Sequence, residues 1–308
     1  MDLNVTVHEV GPRDGLQNES VILSTDDKLA FLGRLVDSGL TDIEVTSFVK
    51  PRWVPQLADA QELVQRLPEA PGVTWWALVP NRTGMERALE AGIPAVATFL
   101  SASETHNKKN INRTIRESLV AQREVIATAA AEGLRVRAYL SAVFGCPYEG
   151  DVDVARVLEL CHALLDAGAE RISLGDTTGM ANPAQVRNVL KVLVDGGVPL
   201  EAVALHMHDT RGAALANVLA GLDCGVRIFD ASVAGLGGCP YAPGASGNLA
   251  TEDLVHVLEA MGWESSATLE GVAKAGVFAA KLLGKELPGR YHRYFLGTCE
   301  KQSAQKVG

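Results

Sequence analysis

The chain lacks most of the features that mark secreted, membrane-spanning or disulfide-stapled proteins. It has 308 residues but only five cysteines, an odd number, and no C-x-x-C pair, which argues against a disulfide framework and a cysteine-type zinc site. No apolar run approaches the ~18 residues that a membrane-spanning helix needs. The first ten residues have neither the basic segment nor the apolar segment of a signal peptide. A reducing cytoplasm is therefore the expected location.

The chain also lacks an excess of positive charge. Its net charge is -9 and its pI about 5.3, whereas a nucleic-acid-binding protein is expected to carry a broad basic face. Hydrophobic residues make up 47% and charged residues 21%, close to a globular average. No nucleic-acid or membrane partner is expected, and an anionic ligand would have to meet a local basic patch.

Short β-branched runs alternate with amphipathic stretches along almost the whole chain. The eight predicted strands are Val5–Val10, Asp42–Ser47, Val73–Val79, Ala95–Leu100, Leu134–Leu140, Arg171–Leu174, Ala202–His206 and Arg227–Val233. Alternation of strands and helices implies a parallel sheet, and eight units fit a closed (β/α)8 barrel better than an open sheet. We expect an α/β TIM barrel over residues 1–265 and a C-terminal helical extension over 266–308, with a helix at Leu269–Leu283 and a polar tail.

The amphipathic stretches carry helix start and stop signals. The predicted helices between the strands are Thr25–Ser38, Asn112–Glu132, Val152–Ala167, Pro183–Asp195, Arg211–Cys224 and Thr251–Met261. Ser24 and Asp27 resemble a capping pair at the first of them. Glycines that favour the left-handed conformation precede the next strand at five places: Gly39, Gly92, Gly133, Gly168 and Gly225.

Polar side chains gather where the predicted strands end, which is the reactive face of such barrels. These residues are Arg13, Asp14, Glu44, Ser47, Arg137, Asp176, Thr178, His206, His208, Cys239 and Asn248. His206 and His208 are two residues apart in a strand, so both imidazoles face one side and can reach one ion. With Asp14 they form a mixed nitrogen and oxygen set that suits Mg²⁺ or Mn²⁺. The alternative is a pair of hydrogen-bonded core histidines.

Arg13 and Cys239 are candidates for two further chemical roles. A fixed positive charge beside a metal can stabilise an enolate as it forms, although Arg13 could also be a plain ion-pair partner of Asp14. Cys239 lies in a glycine-rich segment, Gly235–Asn248, that could deliver a proton to a carbanion and exclude water. A tight turn around a buried cysteine is the alternative.

Several segments resemble the 3-hydroxy-3-methylglutaryl-CoA lyases. The resemblance runs from about Val5 to Leu283. Its motifs are VGPRDGLQNE at 10–19, EVTSF at 44–48, NKKNIN at 107–112, GCPYEG at 145–150, SLGDT at 173–177, HMHDT at 206–210, SVAGLGGCPY at 232–241 and GASGNLATED at 244–253. The early Arg-Asp pair and the H-x-H pattern also occur in related metal-dependent barrels, among them isopropylmalate synthases. The segment around Cys239 is much more specific to the lyases.

The resemblance implies cleavage of 3-hydroxy-3-methylglutaryl-CoA to acetyl-CoA and acetoacetate, with a place in leucine degradation. It implies Asp14, His206, His208 and Asn248 as ligands of Mg²⁺ or Mn²⁺, with His206, or else Asp14, handling the hydroxyl proton. By the same resemblance, Arg13 stabilises the enolate, Glu44 orients Arg13 or the metal-bound water, and Cys239 protonates the carbanion. Ser47, Arg137, Asp176 and Thr178 are expected to bind substrate. A homodimer is the expected assembly.

Coenzyme A is anionic, so the acidic chain needs local positive charge to hold it. The candidates are Asn81, Lys108, Lys109 and Lys285. Glu286 stands where the family has more positive charge, and Arg211 stands where the family often has tyrosine. Glu286 weakens the assignment of the coenzyme A side. Arg211, with the less usual region of Thr105 and His106, leaves open a lyase for a bulkier 3-hydroxy-3-alkylglutaryl-CoA. Cys299 could correspond to a C-terminal thiol that some family members use as a redox switch.

Two other interpretations of the sequence compete with a lyase. A Claisen-type synthase acting on a 2-oxo acid would lack the Cys-Pro-Tyr segment and carry a long C-terminal regulatory domain, for which the roughly 75 residues after strand eight are too few. A metal-binding scaffold without activity would have lost a ligand or Cys239, and the sequence retains all of them.

Overall fold

Eight strands form one closed parallel sheet. The computed structural model describes residues 4–238 and 247–307, with side chains as far as residue 299. The strands are β1 Thr6–Glu9, β2 Asp42–Ser47, β3 Thr74–Leu78, β4 Ala95–Ser101, β5 Arg135–Ser141, β6 Arg171–Asp176, β7 Val203–Met207 and β8 Ile228–Ala231. Each pairs with the next, and β1 pairs with β8 to close the barrel, which confirms the predicted (β/α)8 fold.

Helices cover the outside of the barrel. They are α1 Thr25–Asp37, α2 Ala60–Gln65, α3 Arg82–Ala91, α4 Glu104–Ile111, α5 Ile115–Ala131, α6 Val154–Leu165, α7 Pro183–Asp195, α8 Ala214–Asp223, α9 Thr251–Ala260, α10 Leu269–Leu283 and α11 Arg290–Val307. As predicted, Ser24 caps α1, because its Oγ accepts a hydrogen bond from the Asp27 N–H at 3.1 Å. The buried stripe of this helix includes Phe31, Leu32 and Leu35.

Three helices were not predicted from the sequence: α2, α4 and α11. For α3 only the stop signal at Gly92 was predicted, and Gly92 is its left-handed C-cap. The predicted helix from Asn112 begins instead at Ile115, and Asn112 has a φ of 55° at the C-terminal end of α4. Residues 290–307 of the expected polar tail form the helix α11. The segments α2, α4 and α11 are short or strongly polar, so their apolar periodicity is weak, and tertiary contacts supply most of a helix's stability.

The barrel interior contains charged side chains joined across the sheet. Arg137 on β5 donates to both carboxylate oxygens of Asp230 on β8, at 2.7 and 2.9 Å. The Tyr139 hydroxyl, also on β5, donates to Glu44 on β2 at 2.6 Å. A buried charge is costly unless it is paired, and these contacts satisfy each carboxylate. They place a polar layer directly beneath the C-terminal ends of the strands.

The C-terminal helices pack back onto the barrel. The N–H of Thr268, just before α10, donates to the Ser38 carbonyl after α1 at 2.8 Å. The division of the chain at residue 265 stays a prediction. Among the described residues, no helix combines the length and the apolar character needed to cross a membrane.

Candidate functional site

Three predicted ligands meet at the C-terminal end of the barrel. Asp14 lies in the π-helical turn Gly11–Gly15 after β1, and His206 and His208 lie at the end of β7. Ligand atoms of all three side chains lie within 4.8 Å of one another. The Nε2 atoms of the two histidines are 3.2 Å apart. The closure of the barrel thus brings together residues almost 200 positions apart in the sequence.

Asn248 lies beside this cluster and orients Asp14. Its Nδ2 donates to Asp14 Oδ2 at 2.7 Å and to the Leu236 carbonyl at 3.2 Å. Its Oδ1 is buried and has no hydrogen-bond partner among the described residues. Residues 208 and 248 also form an antiparallel backbone bridge. The predicted fourth ligand is therefore next to the other three, with an acceptor atom to spare.

Arg13 joins the cluster to the polar layer below it. Its Nη1 donates to Asp14 Oδ1 at 2.7 Å, and its Nε donates to Glu44 Oε1. Burial opposes the ionisation of Glu44, but Arg13 outweighs it and holds the pKa of this carboxyl at about 2. Burial likewise opposes ionisation of Asp14, and Arg13 again outweighs it, so the pKa of Asp14 is lowered. The guanidinium therefore lies between two ionised carboxylates.

Asp230 orients His206 and was missed by the sequence reasoning. Its Oδ2 lies 3.2 Å from His206 Nδ1 and accepts a hydrogen bond from Ser173 Oγ at 2.7 Å. Arg137 outweighs the effect of burial and holds the pKa of Asp230 well below its usual range. An ionised carboxylate at Nδ1 selects the tautomer that leaves Nε2 free to coordinate. The sequence signal that could have identified it is a single acidic residue inside β8, which is otherwise apolar.

His208 is suited to ligation because it is neutral. Burial, followed by the nearby His206, lowers the pKa of His208 to about 4. Its Nδ1 has no partner among the described residues. A metal-binding imidazole must be deprotonated, so this environment favours the competent form at neutral pH.

A cavity of about 630 Å³ opens above the cluster. Of the predicted site residues, those that line it are Arg13, Asp14, Asn81, Lys109, His206 and His208. Tyr139, which sequence reasoning also missed, lines it as well. Gly238, the residue before Cys239, lines it too, whereas Cys239 itself lies outside the described residues.

The predicted substrate contact of Arg137 is not supported by the geometry of the described residues. Arg137 is completely buried and is engaged by Asp230. Tyr139, two residues further along β5, lines the cavity, while Arg137 does not. The strand therefore presents its tyrosine to the cavity and keeps its arginine in the layer below.

Three other residues predicted to contact substrate are buried, and none of them is among the described residues that line the cavity. Ser47 is 1% exposed, and its Oγ accepts from the Val49 N–H at 3.3 Å. Asp176 accepts the backbone N–H groups of Met180 and Ala181, and burial raises its pKa to about 6. Thr178 is 3% exposed. Their direct contact with substrate is not supported by this geometry.

The predicted basic patch is partly neutralised. Lys108 Nζ lies 3.4 Å from Glu104, and Lys285 Nζ lies 2.5 Å from Glu19. Lys109 instead lines the cavity, with its Nζ 4.3 Å from the ring centre of Tyr148. Asn81 lines the cavity but also caps α3, since its Oδ1 accepts from the Gly84 N–H at 3.0 Å.

Comparison with known proteins gives close matches over nearly the whole chain. Residues 4–278 match the profile of the HMGL-like family. The chain is 50% identical to hydroxymethylglutaryl-CoA lyase YngG of Bacillus subtilis, covering 94% of this chain and 97% of that protein. It is 47% identical to the mitochondrial hydroxymethylglutaryl-CoA lyase of Bos taurus, covering 91% and 86%.

A solved structure extends the comparison. An HMG-CoA lyase from Acinetobacter baumannii, in complex with coenzyme A and 3-methylmalate, matches with a TM-score of 0.90 at 37% identity, covering 94% of this chain and 95% of that chain. The strand order, the site and these matches agree with the motifs noted in the sequence. The chain therefore belongs to the HMGL-like family, and its resemblance to the 3-hydroxy-3-methylglutaryl-CoA lyases is confirmed.

Proposed function

We propose that the protein is a carbon–carbon lyase that cleaves 3-hydroxy-3-methylglutaryl-CoA to acetyl-CoA and acetoacetate. The observation that carries this proposal is the Asp14–His206–His208 cluster with Arg13 beside it, in a cavity of a chain 50% identical to a named lyase. The reaction must remove a proton from a tertiary hydroxyl, break a C–C bond and release the thioester as an enolate. Each step needs a different kind of group, and the site supplies candidates for all three.

The residues fit a divalent cation. Neighbouring ligands of an octahedral ion with bonds of about 2.1 Å lie about 3 Å apart, close to the 3.2 Å between the two histidine Nε2 atoms. Asn248 Oδ1 is buried without a partner among the described residues, as expected of a ligand atom. We propose Asp14, His206, His208 and Asn248 as the ligands and Mg²⁺ or Mn²⁺ as the ion. When bound, such an ion acidifies a coordinated hydroxyl and polarises a carbonyl.

Arg13 is the proposed electrophile for the enolate. Its guanidinium lines the cavity and is fixed by Glu44 on one side and Asp14 on the other. A donor held in place before the reaction begins costs no reorganisation when negative charge develops. Glu44 is in turn held by the Tyr139 hydroxyl. This chain of contacts supports Glu44 as the residue that orients Arg13.

His206 is the first candidate for the hydroxyl proton, and Asp14 is the second. His206 could take this proton at Nε2 only while that nitrogen is not bound to the ion. Asp230 at Nδ1 would then stabilise the positive charge on the ring, as carboxylates do beside catalytic histidines. Asp14 is already engaged by Arg13, Asn248 and Gln17, the last at 2.6 Å. These bonds favour its ionised form and make it a weaker base.

Cys239 is the proposed proton donor to the acetyl-CoA carbanion. Support comes from Gly238, which lines the cavity one residue before it. A Cys239→Ser variant has a far weaker acid in place of a thiol with a pKa near 8.5. It should bind substrate and turn over slowly, and alkylation of the wild-type thiol should inactivate the enzyme unless substrate is bound. Unchanged turnover in Cys239→Ala would contradict this role.

We propose that bound coenzyme A extends out of the cavity alongside Asn81 and Lys109, which both line it. Lys108 and Lys285 are proposed to assist only if their ion pairs with Glu104 and Glu19 open. A cytoplasmic location, a homodimeric assembly and a part in leucine degradation remain proposals.

A direct assay tests the activity. Purified protein is incubated with 3-hydroxy-3-methylglutaryl-CoA and Mg²⁺ or Mn²⁺, and acetoacetate is measured with and without EDTA. We expect product that EDTA abolishes and added cation restores. Faster cleavage of a homologue with a longer 3-alkyl group would favour the bulkier substrate. Condensation of acetyl-CoA with a 2-oxo acid, without acetoacetate, would refute the lyase.

A further inference from the structure

The turn between α10 and α11 is hydrogen-bonded on both sides of Cys239 in the sequence, to Ala234 before it and to Asp253 after it. The Gly289 N–H donates to the Ala234 carbonyl at 2.9 Å, just after β8. The N–H groups of Arg290 and Tyr291 donate to the two carboxylate oxygens of Asp253, at 3.2 and 2.6 Å, near the start of α9. The start of α11 is therefore fixed to the barrel by three backbone donors.

From this position Arg290 reaches the end of β7. Its Nη1 donates to Asp209 Oδ2 at 2.8 Å. The other carboxylate oxygen of Asp209 accepts from the Ala214 N–H at 3.1 Å, at the start of α8. The Asp209 N–H itself donates to the Gly247 carbonyl at 2.7 Å. Asp209 thus connects α11, α8 and the segment that returns from the Cys239 region.

Asp209 is also adjacent to two of the proposed ligands. It follows His208 in sequence, and its partner Gly247 precedes Asn248. Residues 208 and 248 are paired in an antiparallel bridge, and the Leu249 N–H donates to the Met207 carbonyl at 3.1 Å. A displacement of Asp209 would therefore move both ligands through a short, stiff stretch of paired backbone.

We propose that Arg290 is a positioning residue of the metal site, acting through Asp209 on the His208–Asn248 pair. The inference rests on the proposed metal site and assigns a role in it to the C-terminal extension. Arg290 does not line the described cavity, so it acts only through its neighbours.

The contact is suited to orientation rather than to stability. The Arg290 side chain is 56% exposed and Asp209 only 11%. An ion pair with one partner so exposed contributes little to folding, and the backbone bonds of Gly289 and Tyr291 remain when the side chain is removed. Metal affinity and thermal stability should therefore separate in a variant.

The test compares Arg290→Ala and Arg290→Lys with Arg293→Ala, which removes an exposed arginine from the same helix. Mn²⁺ dissociation constants are measured from the electron paramagnetic resonance signal of free Mn²⁺, and melting temperatures are measured on the metal-free proteins. Loss of a partner outside the ligand shell typically weakens metal binding 10- to 100-fold. Because Arg290 is one contact further out, we expect about 10-fold weaker binding in Arg290→Ala, recovery in Arg290→Lys and no change in Arg293→Ala.

A second measurement needs no metal. Hydrogen exchange followed by mass spectrometry on metal-free protein should show faster exchange over 206–214 in Arg290→Ala but not in Arg293→Ala. Asp209→Asn should reproduce the loss of Mn²⁺ affinity, and the double variant Asp209→Asn/Arg290→Ala should be no weaker than Asp209→Asn alone. Wild-type Mn²⁺ affinity in Arg290→Ala, or additive losses in the double variant, would overturn the inference. Failure of the wild-type protein to bind Mn²⁺ would instead refute the proposed metal site. Even then, unchanged hydrogen exchange over 206–214 in Arg290→Ala would refute the positioning role of Arg290.

Discussion

Single residues at the site are held by several partners each, and their charges are buried in pairs. Arg13 lies between Glu44 and Asp14, and Arg137 lies against Asp230. Removing one member of such a pair leaves an uncompensated charge, which costs far more than the pair contributes when intact. Substitutions here must therefore be read with stability and metal affinity measured beside activity.

Arg13→Gln should lower kcat by about 10²–10³-fold, the typical loss when a preorganised donor to a developing oxyanion is removed. Arg13→Lys keeps the charge but not the planar fork, so a smaller fall is expected. Mn²⁺ affinity should change little, because Asp14 keeps Gln17 and Asn248 as donors. A fall in melting temperature and Mn²⁺ affinity, with kcat nearly intact in the folded fraction, would show that Arg13 only holds its turn.

Asp230→Asn should weaken Mn²⁺ binding by about 10- to 100-fold, since the carboxylate fixes the tautomer and orientation of His206. The variant also leaves Arg137 buried without its counter-charge and should lower the melting temperature. Ser173→Ala removes only the hydroxyl donor at 2.7 Å and keeps the ion pair, so it serves as a variant that folds. Wild-type Mn²⁺ affinity in folded Asp230→Asn would refute the orienting role.

At the scale of elements, the π-helical turn after β1 is packed tightly against the segment after β8. A Cβ atom placed on Gly15 would lie 2.8 Å from Leu236 Cβ and 3.2 Å from Ser232 Oγ. The turn carries Asp14, and the segment after β8 leads towards Cys239. The close approach of these two backbones therefore fixes how the first and last strands contribute to one site.

Gly15→Ala should separate these two segments and lower both the stability and kcat. Overpacking of a tight contact typically costs about 1–3 kcal/mol. Gly33→Ala is the matched control, because Gly33 lies inside α1 and a methyl group added there would meet no atom within 4 Å. That variant should gain about 0.5–1 kcal/mol from the lower entropy of the unfolded chain. Urea unfolding of both variants measures the difference, and a neutral Gly15→Ala would contradict the packing argument.

For the molecule as a whole, stability should depend on an acid buried beneath the segment after β8. Glu252 on α9 is fully buried, and burial raises its pKa to about 8. Its Oε2 accepts from the Ala234 N–H at 2.7 Å, while its Oε1 has no partner among the described residues. The neutral acid is therefore the form that the fold accommodates best.

The free energy of unfolding should fall as pH rises from about 4.3, the usual pKa of an unfolded glutamate, to about 8. Over this window the folded state retains a proton that the unfolded state has released, so each rise in pH favours unfolding. Glu252→Gln stays neutral and should melt several degrees above wild type at pH 9 but not at pH 5. Glu259→Gln, an exposed change on the same helix, is the control. Equal pH dependence in Glu252→Gln and wild type would show that Glu252 does not carry this proton.

The sequence by itself determined the features that depend on local pattern. Eight alternating strands and helices predicted the closed barrel, because periodicity and glycine stops are properties of neighbouring residues. The H-x-H spacing and the Arg13–Asp14 pair predicted most of the proposed metal site for the same reason, since strand geometry puts residues i and i+2 on one face. The family motifs added Asn248 and Cys239.

Only the tertiary structure decided which distant groups meet. Across the interior of the closed sheet, Arg137 donates to Asp230, which lies 93 residues further along the sequence. Tyr139 donates to Glu44, which lies 95 residues earlier. A period of two predicts that such side chains point inward, but it does not say which strand faces them or whether they reach the cavity. The hydrogen bond from Arg290 to Asp209 likewise depends on how the start of α11 packs against the barrel. These contacts arise from the closure of the barrel, which no local pattern encodes.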